Sequence, residues 1–193
     1  MKHALATAMT GLRTRLGSKP PRISRAALWM IVPIYAVFGV LIYLALFGMV
    51  VFNATDSLRG HGFLAFKFPK PLIRGSVVVA PPPAIYADKF EGLVFTKRLI
   101  GKPGDEIVQV GGSVCIQGQC FEPATRDGQA FGRLLNAGVI PNGFVALFGE
   151  TPTSLDSRYQ KVGLFAIKDI IAVGFSIPGF PHWSALPKRG NGL

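Results

Sequence analysis

Residues 26–52 read AALWMIVPIYAVFGVLIYLALFGMVVF, 27 positions without a charged side chain. A helix needs about 20 apolar residues to cross the hydrocarbon core of a bilayer, so this run is long enough to span with some tilt. A cleavable export signal has a shorter apolar core, roughly 7–15 residues, closed by a small-x-small site. This run instead ends on Phe52-Asn53-Ala54, with a bulky residue where a small one is needed. The expectation is an uncleaved anchor. A buried core helix of a soluble protein is the competing reading, and the length of the uncharged run counts against it. Pro33 falls near the first turns, where proline costs least, and Trp29 and Tyr35 suit a membrane interface.

The net charge of +11 raises the question of nucleic acid. Its distribution answers it. Lys2, Arg13, Arg15, Lys19, Arg22 and Arg25 all precede the apolar run, and the first acidic residue is Asp56. Beyond those six, 15 basic side chains face 10 acidic ones, with no dense basic stripe. No nucleic acid is expected as a partner. Basic residues flanking a span stay in the cytoplasm. The expected organisation is therefore a basic cytoplasmic segment (1–25), a single-pass transmembrane anchor in the lipid bilayer (26–52) and an outer domain (53–193). In a bacterium that outer domain lies in the periplasm, held at the inner membrane.

After residue 52 short apolar runs alternate with turn residues. Strands are predicted over residues 75–80, 92–100, 106–110, 113–116, 144–148 and 170–175, and a short helical turn or loop over 84–90. The 15 prolines and 23 glycines fit many short strands. The fold class expected is mainly β, with one N-terminal transmembrane helix. Residues 115–120 (CIQGQC) read as two strand ends around a Gln117-Gly118 turn, and a Cys115–Cys120 disulfide suits an oxidising compartment. Two thiols and three scattered histidines (His3, His61, His182) make a poor metal set, so no metal is expected.

No histidine has a convincing companion for a Ser-His-Asp triad. A lysine replaces histidine as a base only when its amine is neutral, which requires burial beside apolar side chains. Lys97 meets that requirement. It lies in the apolar run 93–100, where strand alternation puts it on one face with Phe95 and Leu99 and turns Arg98 to the other face with Thr96 and Ile100. A charge placed against edge-strand aggregation is the structural alternative. Ser57 stands five residues past the apolar run, close to where a substrate bond leaves the bilayer.

Residues 97–105 (KRLIGKPGD) resemble the signature K-R-(V/I)-(V/I)-G-x-P-G-D of the type I signal peptidase family, whose lysine is the general base. Residues 149–158 (GETPTSLDSR) resemble its second signature, which ends S-x-D-S-R. Residues 53–57 (NATDS) resemble the N-x-T-x-S start of the TraF-like conjugal-transfer branch, whose serine is the nucleophile. The motifs occur in the family's order. The resemblance implies a compact signal-peptidase-like β domain with Ser57, Lys97 and Asp156 as catalytic residues. It implies Thr55 as an oxyanion aid, Ser154 as the residue orienting the lysine, and an Asp156–Arg158 ion pair with Arg98 nearby. Three departures stand out: Leu58-Arg59 where methionine or proline is common, Glu150 for the usual aspartate, and Thr151-Pro152 for Asn-Arg.

The function this implies is a membrane-anchored serine endopeptidase acting on a membrane-inserted, pilin-like precursor of a conjugative type IV secretion system, with trimming followed by hydrolysis or cyclisation. General signal peptide removal is the alternative within the enzyme class. A non-catalytic scaffold component of the secretion system is the alternative outside it. A Ser–Lys mechanism needs neither metal nor nucleotide, so no cofactor is expected. Activity is expected to rise at alkaline pH as Lys97 loses its proton. Phe63, Phe66 and Phe68, with Phe175, Phe180 and Trp183, are expected either to form an apolar face on the outer leaflet or to be ordinary core aromatics.

Overall fold

The computed structural model describes residues 24–53, 55, 57–126 and 129–179. The chain divides into two compact units, residues 1–42 and 43–193. Helix α1 (Arg25–Phe47) carries Pro33 inside it, and Leu28–Phe47 is long and apolar enough to cross a membrane. Trp29, Tyr35 and Phe38 are exposed along it, as expected of a segment whose solvent is lipid.

The helix is shorter than the uncharged run. The last five residues of that run form strand β1 (Gly48–Phe52), paired antiparallel with β2 (Gly62–Phe66). The β-branched Val50 and Val51 favour an extended chain, and β2 supplies the partner that a helix continuing to residue 52 would forgo. The aromatic set also divides. Phe63 is fully buried with Leu58 and Val77, whereas Phe68 and Phe175 are more than half exposed. Phe63 is therefore a core residue. Phe180 and Trp183 lie outside the described residues.

The remaining strands are β3 (Val77–Ala80), β4 (Phe95–Gly101), β5 (Glu106–Val110), β6 (Ser113–Ile116), β7 (Gln119–Phe121), β8 (Thr125–Arg126), β9 (Gln129–Ala130), β10 (Gly138–Val139), β11 (Phe144–Phe148), β12 (Phe165–Ala166) and β13 (Ala172–Ser176). Short 3-10 turns at Ala84–Tyr86 and Asp88–Phe90 fill the connection from β3 to β4. A seven-stranded antiparallel sheet runs β1-β2-β13-β3-β4-β11-β12, and a four-stranded sheet runs β10-β5-β6-β7. The protein is mainly β, as its glycine- and proline-punctuated sequence predicts.

Strand β4 is interior to the larger sheet. Lys97 pairs with Val78 on β3, and Leu99 with Leu147 on β11. The main core packs Leu99, Val145, Leu147, Phe165 and Val173 together, and a second cluster joins Ile107, Val114, Ile116 and Ile140 to Phe148. The β6–β7 hairpin turns at Gln117 and Gly118, both with positive φ (50° and 76°), the conformation a tight two-residue turn demands. Cys115 and Cys120 face each other across it and are joined as a disulfide.

Candidate active site

Ser57 sits in the loop between β1 and β2. Asn53 organises this loop. Its amide N donates to the His61 carbonyl (2.8 Å), its side-chain nitrogen donates to the Leu58 carbonyl (3.3 Å), and its Oδ1 accepts from the Thr55 main-chain N–H (3.3 Å). A side-chain oxygen bonded to the N–H two residues on is an Asx turn, which fixes a tight bend without a neighbouring strand. The Thr55 hydroxyl donates to Ser57 Oγ at 3.1 Å. Ser57 itself is buried, and Leu58 anchors the loop in the core.

Lys97 projects from β4. It is 5% exposed, and its Nζ donates to Ser154 Oγ at 2.9 Å. The Phe95 ring centroid lies 5.5 Å from the amine. Burial is the largest influence on Lys97 and lowers its pKa from the ordinary 10.5 to about 8; the charge of Asp156 opposes this and that of Arg158 reinforces it. The amine is still mostly charged at pH 7, and its neutral form becomes well populated toward pH 8. Ser57, Thr55, Lys97 and Ser154 line one cavity of about 350 Å³, walled by Leu93, Val94, Phe95 and Leu155. Lys97 and Ser57 share this cavity without a direct hydrogen bond between them.

The Ser154 loop is held by a buried ion pair. Arg158 Nε donates to Asp156 Oδ1 (2.8 Å) and Nη2 to Oδ2 (2.9 Å), while the Gly149 N–H donates to Asp156 Oδ2 (2.7 Å). Arg158 also donates to the carbonyls of Glu122 and Gly149. With both oxygens engaged, Asp156 reaches Lys97 through its charge rather than by contact. Arg98 is not part of this pair. It turns to the other face of β4, as alternation predicts, and its Nε donates to Glu150 Oε1 at 2.8 Å.

Two contacts were not anticipated from the sequence. The Glu150 N–H donates to the Ser57 carbonyl (2.7 Å), and Glu150 Oε2 accepts from the Arg59 N–H (2.7 Å). Glu150 thus grips the Ser57 loop from the loop that carries Ser154. Gly149 makes the approach possible, since a Cβ there would lie 2.1 Å from Ser154 Oγ and 2.8 Å from the Ser57 carbonyl oxygen. The glycine that opens the second signature is needed for space. Glu150 replacing aspartate was the only visible trace of the other contact.

A hydroxyl and a buried amine thus line one cavity with largely apolar walls. The chain belongs to the signal peptidase family, peptidase S26, whose model matches residues 23–177. No curated protein matches the chain at a significant level. Among solved structures, signal peptidase I from Enterococcus faecalis V583 is similar at 21% identity, covering 54% of this chain and 96% of that one, with a TM-score of 0.35.

Proposed function

We propose that the protein is a serine endopeptidase in which Ser57 attacks the scissile carbonyl and Lys97 accepts its proton. The observation that carries this reading is the buried Lys97 amine, held by Ser154 and facing the cavity that Ser57 lines. The Ser57 proton passes to neutral Lys97 and then to the leaving amine, and Lys97 next activates the water that releases the acyl group. The Ser57 main-chain N–H and the Thr55 hydroxyl serve the developing oxyanion. Asp156, Arg158 and Glu150 keep the two loops in register.

The apolar helix and the basic residues before it support a single-pass protein with a cytoplasmic N-terminus, its catalytic domain on the periplasmic side of a bacterial inner membrane. The N-x-T-x-S spacing at Asn53, Thr55 and Ser57, with the Asx turn it forms, favours a conjugative pilin precursor as substrate. Replacing water by the precursor's own terminal amine in the second step gives a cyclic product. The family match favours a second reading, removal of signal peptides from exported proteins.

The test is mass spectrometry of a conjugative pilin precursor co-expressed in cells carrying wild type, Ser57→Ala or Lys97→Ala. Maturation only with wild type supports the dyad, and a product lighter by one water than the linear trimmed chain reports cyclisation. Equal maturation in all three strains rejects the dyad for that substrate. A general exported precursor matured in the same strains only by wild type supports the second reading.

A further inference from the structure

A second cavity of about 410 Å³ opens on the reverse face of β4 from Lys97. Ile100, Phe121 and Phe148 form its apolar floor, with the two rings stacked at 4.1 Å. Arg74 and Arg98 both reach it, and Gln119 stands exposed at its rim.

The two guanidiniums are held but not saturated. Arg98 donates through Nε to Glu150, through Nη1 to the Gly75 carbonyl and through Nη2 to Ser176. Arg74 donates to the Ile100 carbonyl and to both oxygens of Asp105. A guanidinium has five N–H groups, so each arginine keeps two without a protein partner among the described residues. The Gln119 amide has no hydrogen-bond partner among the described residues either. The neighbouring carboxylates are already engaged: Asp105 by Arg74, the Lys102 N–H and Gln117, and Glu150 by Arg98 and the Arg59 N–H. Fixed arginine side chains with spare donors above an aromatic floor match a carboxylate attached to an apolar group.

We propose that this cavity binds a carboxylate-bearing, apolar-flanked segment of the polypeptide substrate. The proposal rests on the peptidase reading above. A polypeptide is favoured over a small acid because the cavity shares strand β4 with Lys97 and its wall includes Gly149 and Glu150, which touch the Ser154 and Ser57 loops. Glu150 lines this cavity and also holds the Ser57 carbonyl, so a substrate chain extending from the Ser57 cavity around this loop would meet the second cavity. An acidic residue of that chain would then be read by Arg74 and Arg98.

The experiment uses the full chain with Ser57→Ala, in lipid nanodiscs, so that the probe is not consumed. The probe is a fluorescein-labelled acetyl-Ala-Phe-Asp-Ala-amide peptide, compared by anisotropy with its Asn counterpart. The Asp peptide is expected to bind roughly tenfold tighter, the scale of one charge-assisted pair. Gln119→Glu, which brings a competing carboxylate to the rim, should abolish that preference, and Gln119→Lys should keep or increase it. Both changes fall on an exposed residue at the start of β7, outside the core. Equal affinity for the two peptides, absence of saturable binding, or a preference that survives Gln119→Glu overturns the proposal. Failure of the peptidase reading shows elsewhere, as precursor maturation in cells carrying Ser57→Ala.

Discussion

Lys97 and Arg98 are neighbours on β4 and face opposite surroundings. The lysine enters an apolar pocket where its charge is expensive, and burial brings its pKa down to about 8. The arginine turns to a wetter face, where Glu150 balances it and both side chains keep about a quarter of their exposure. A pleated strand needs one residue to move between these environments. The difference teaches why the two cations are not interchangeable. An ammonium can be neutralised by dehydration, whereas a guanidinium cannot and serves as a permanent tie.

The largest expected effect breaks the first side of this comparison. Lys97→Met should cut precursor processing roughly 10²–10⁴-fold, the usual worth of a general base. It should also stabilise the protein. At pH 7 the folded state carries the lysine charge at a cost of about 3 kcal/mol, taken from its pKa displacement. That cost is complete below pH 8, shrinks between pH 8 and 10.5 where the unfolded chain binds the extra proton, and is gone above. Thermal melts at pH 7 and at pH 10.5 check the sign: the gain should appear at the first and disappear at the second.

A second prediction concerns the buried ion pair behind the site. Arg158→Met leaves Asp156 charged with no exposure at all, and should cost about 3–5 kcal/mol by denaturation. The Arg98–Glu150 pair sharpens the contrast. Glu150→Gln should change stability by only about 1 kcal/mol because the pair is partly solvated. Processing should still fall roughly 10- to 100-fold, since the side chain positions the Ser57 loop. A variant losing stability and activity together would assign Glu150 to packing alone.

The smallest effect is at acid pH. Asp105, bonded to Arg74, to the Lys102 N–H and to Gln117, has its pKa lowered from 3.8 to about 2, with the Arg74 hydrogen bond the main cause. Its contribution is complete above pH 4 and is lost as pH falls through 2. Because Arg74 is 41% exposed, the loss should be on the order of 1 kcal/mol. Comparing melts of wild type and Asp105→Asn from pH 5 to 2 isolates it.

Sequence carried local features well. Strands β5, β6 and β11 were legible at their bounds because turn residues punctuate them, and alternation placed Lys97 and Arg98 on opposite faces. The end of α1 was not legible. Val50 and Val51 lean toward strand, but Val32, Val37 and Val40 lie within the helix, so composition alone does not mark the change; the pairing of β1 with β2 decides it. The burial of Phe63 was hidden for the same reason, since register with β1 and β13 sets it. Ser57, Lys97 and Ser154 were visible through motif spacing. The roles of Asn53 and Glu150 were not, because each depends on loops meeting only in the folded sheet.

The central claim is that Lys97 works as a neutral base. The direct measurement is the single-turnover cleavage rate of purified precursor by the full chain between pH 5.5 and 10.5. The rate should rise tenfold per pH unit at the acid end and level off above about pH 8, tracking the neutral lysine. A rate that is flat from pH 6 to 10, or that falls as pH rises through 8, would contradict a lysine base at this site.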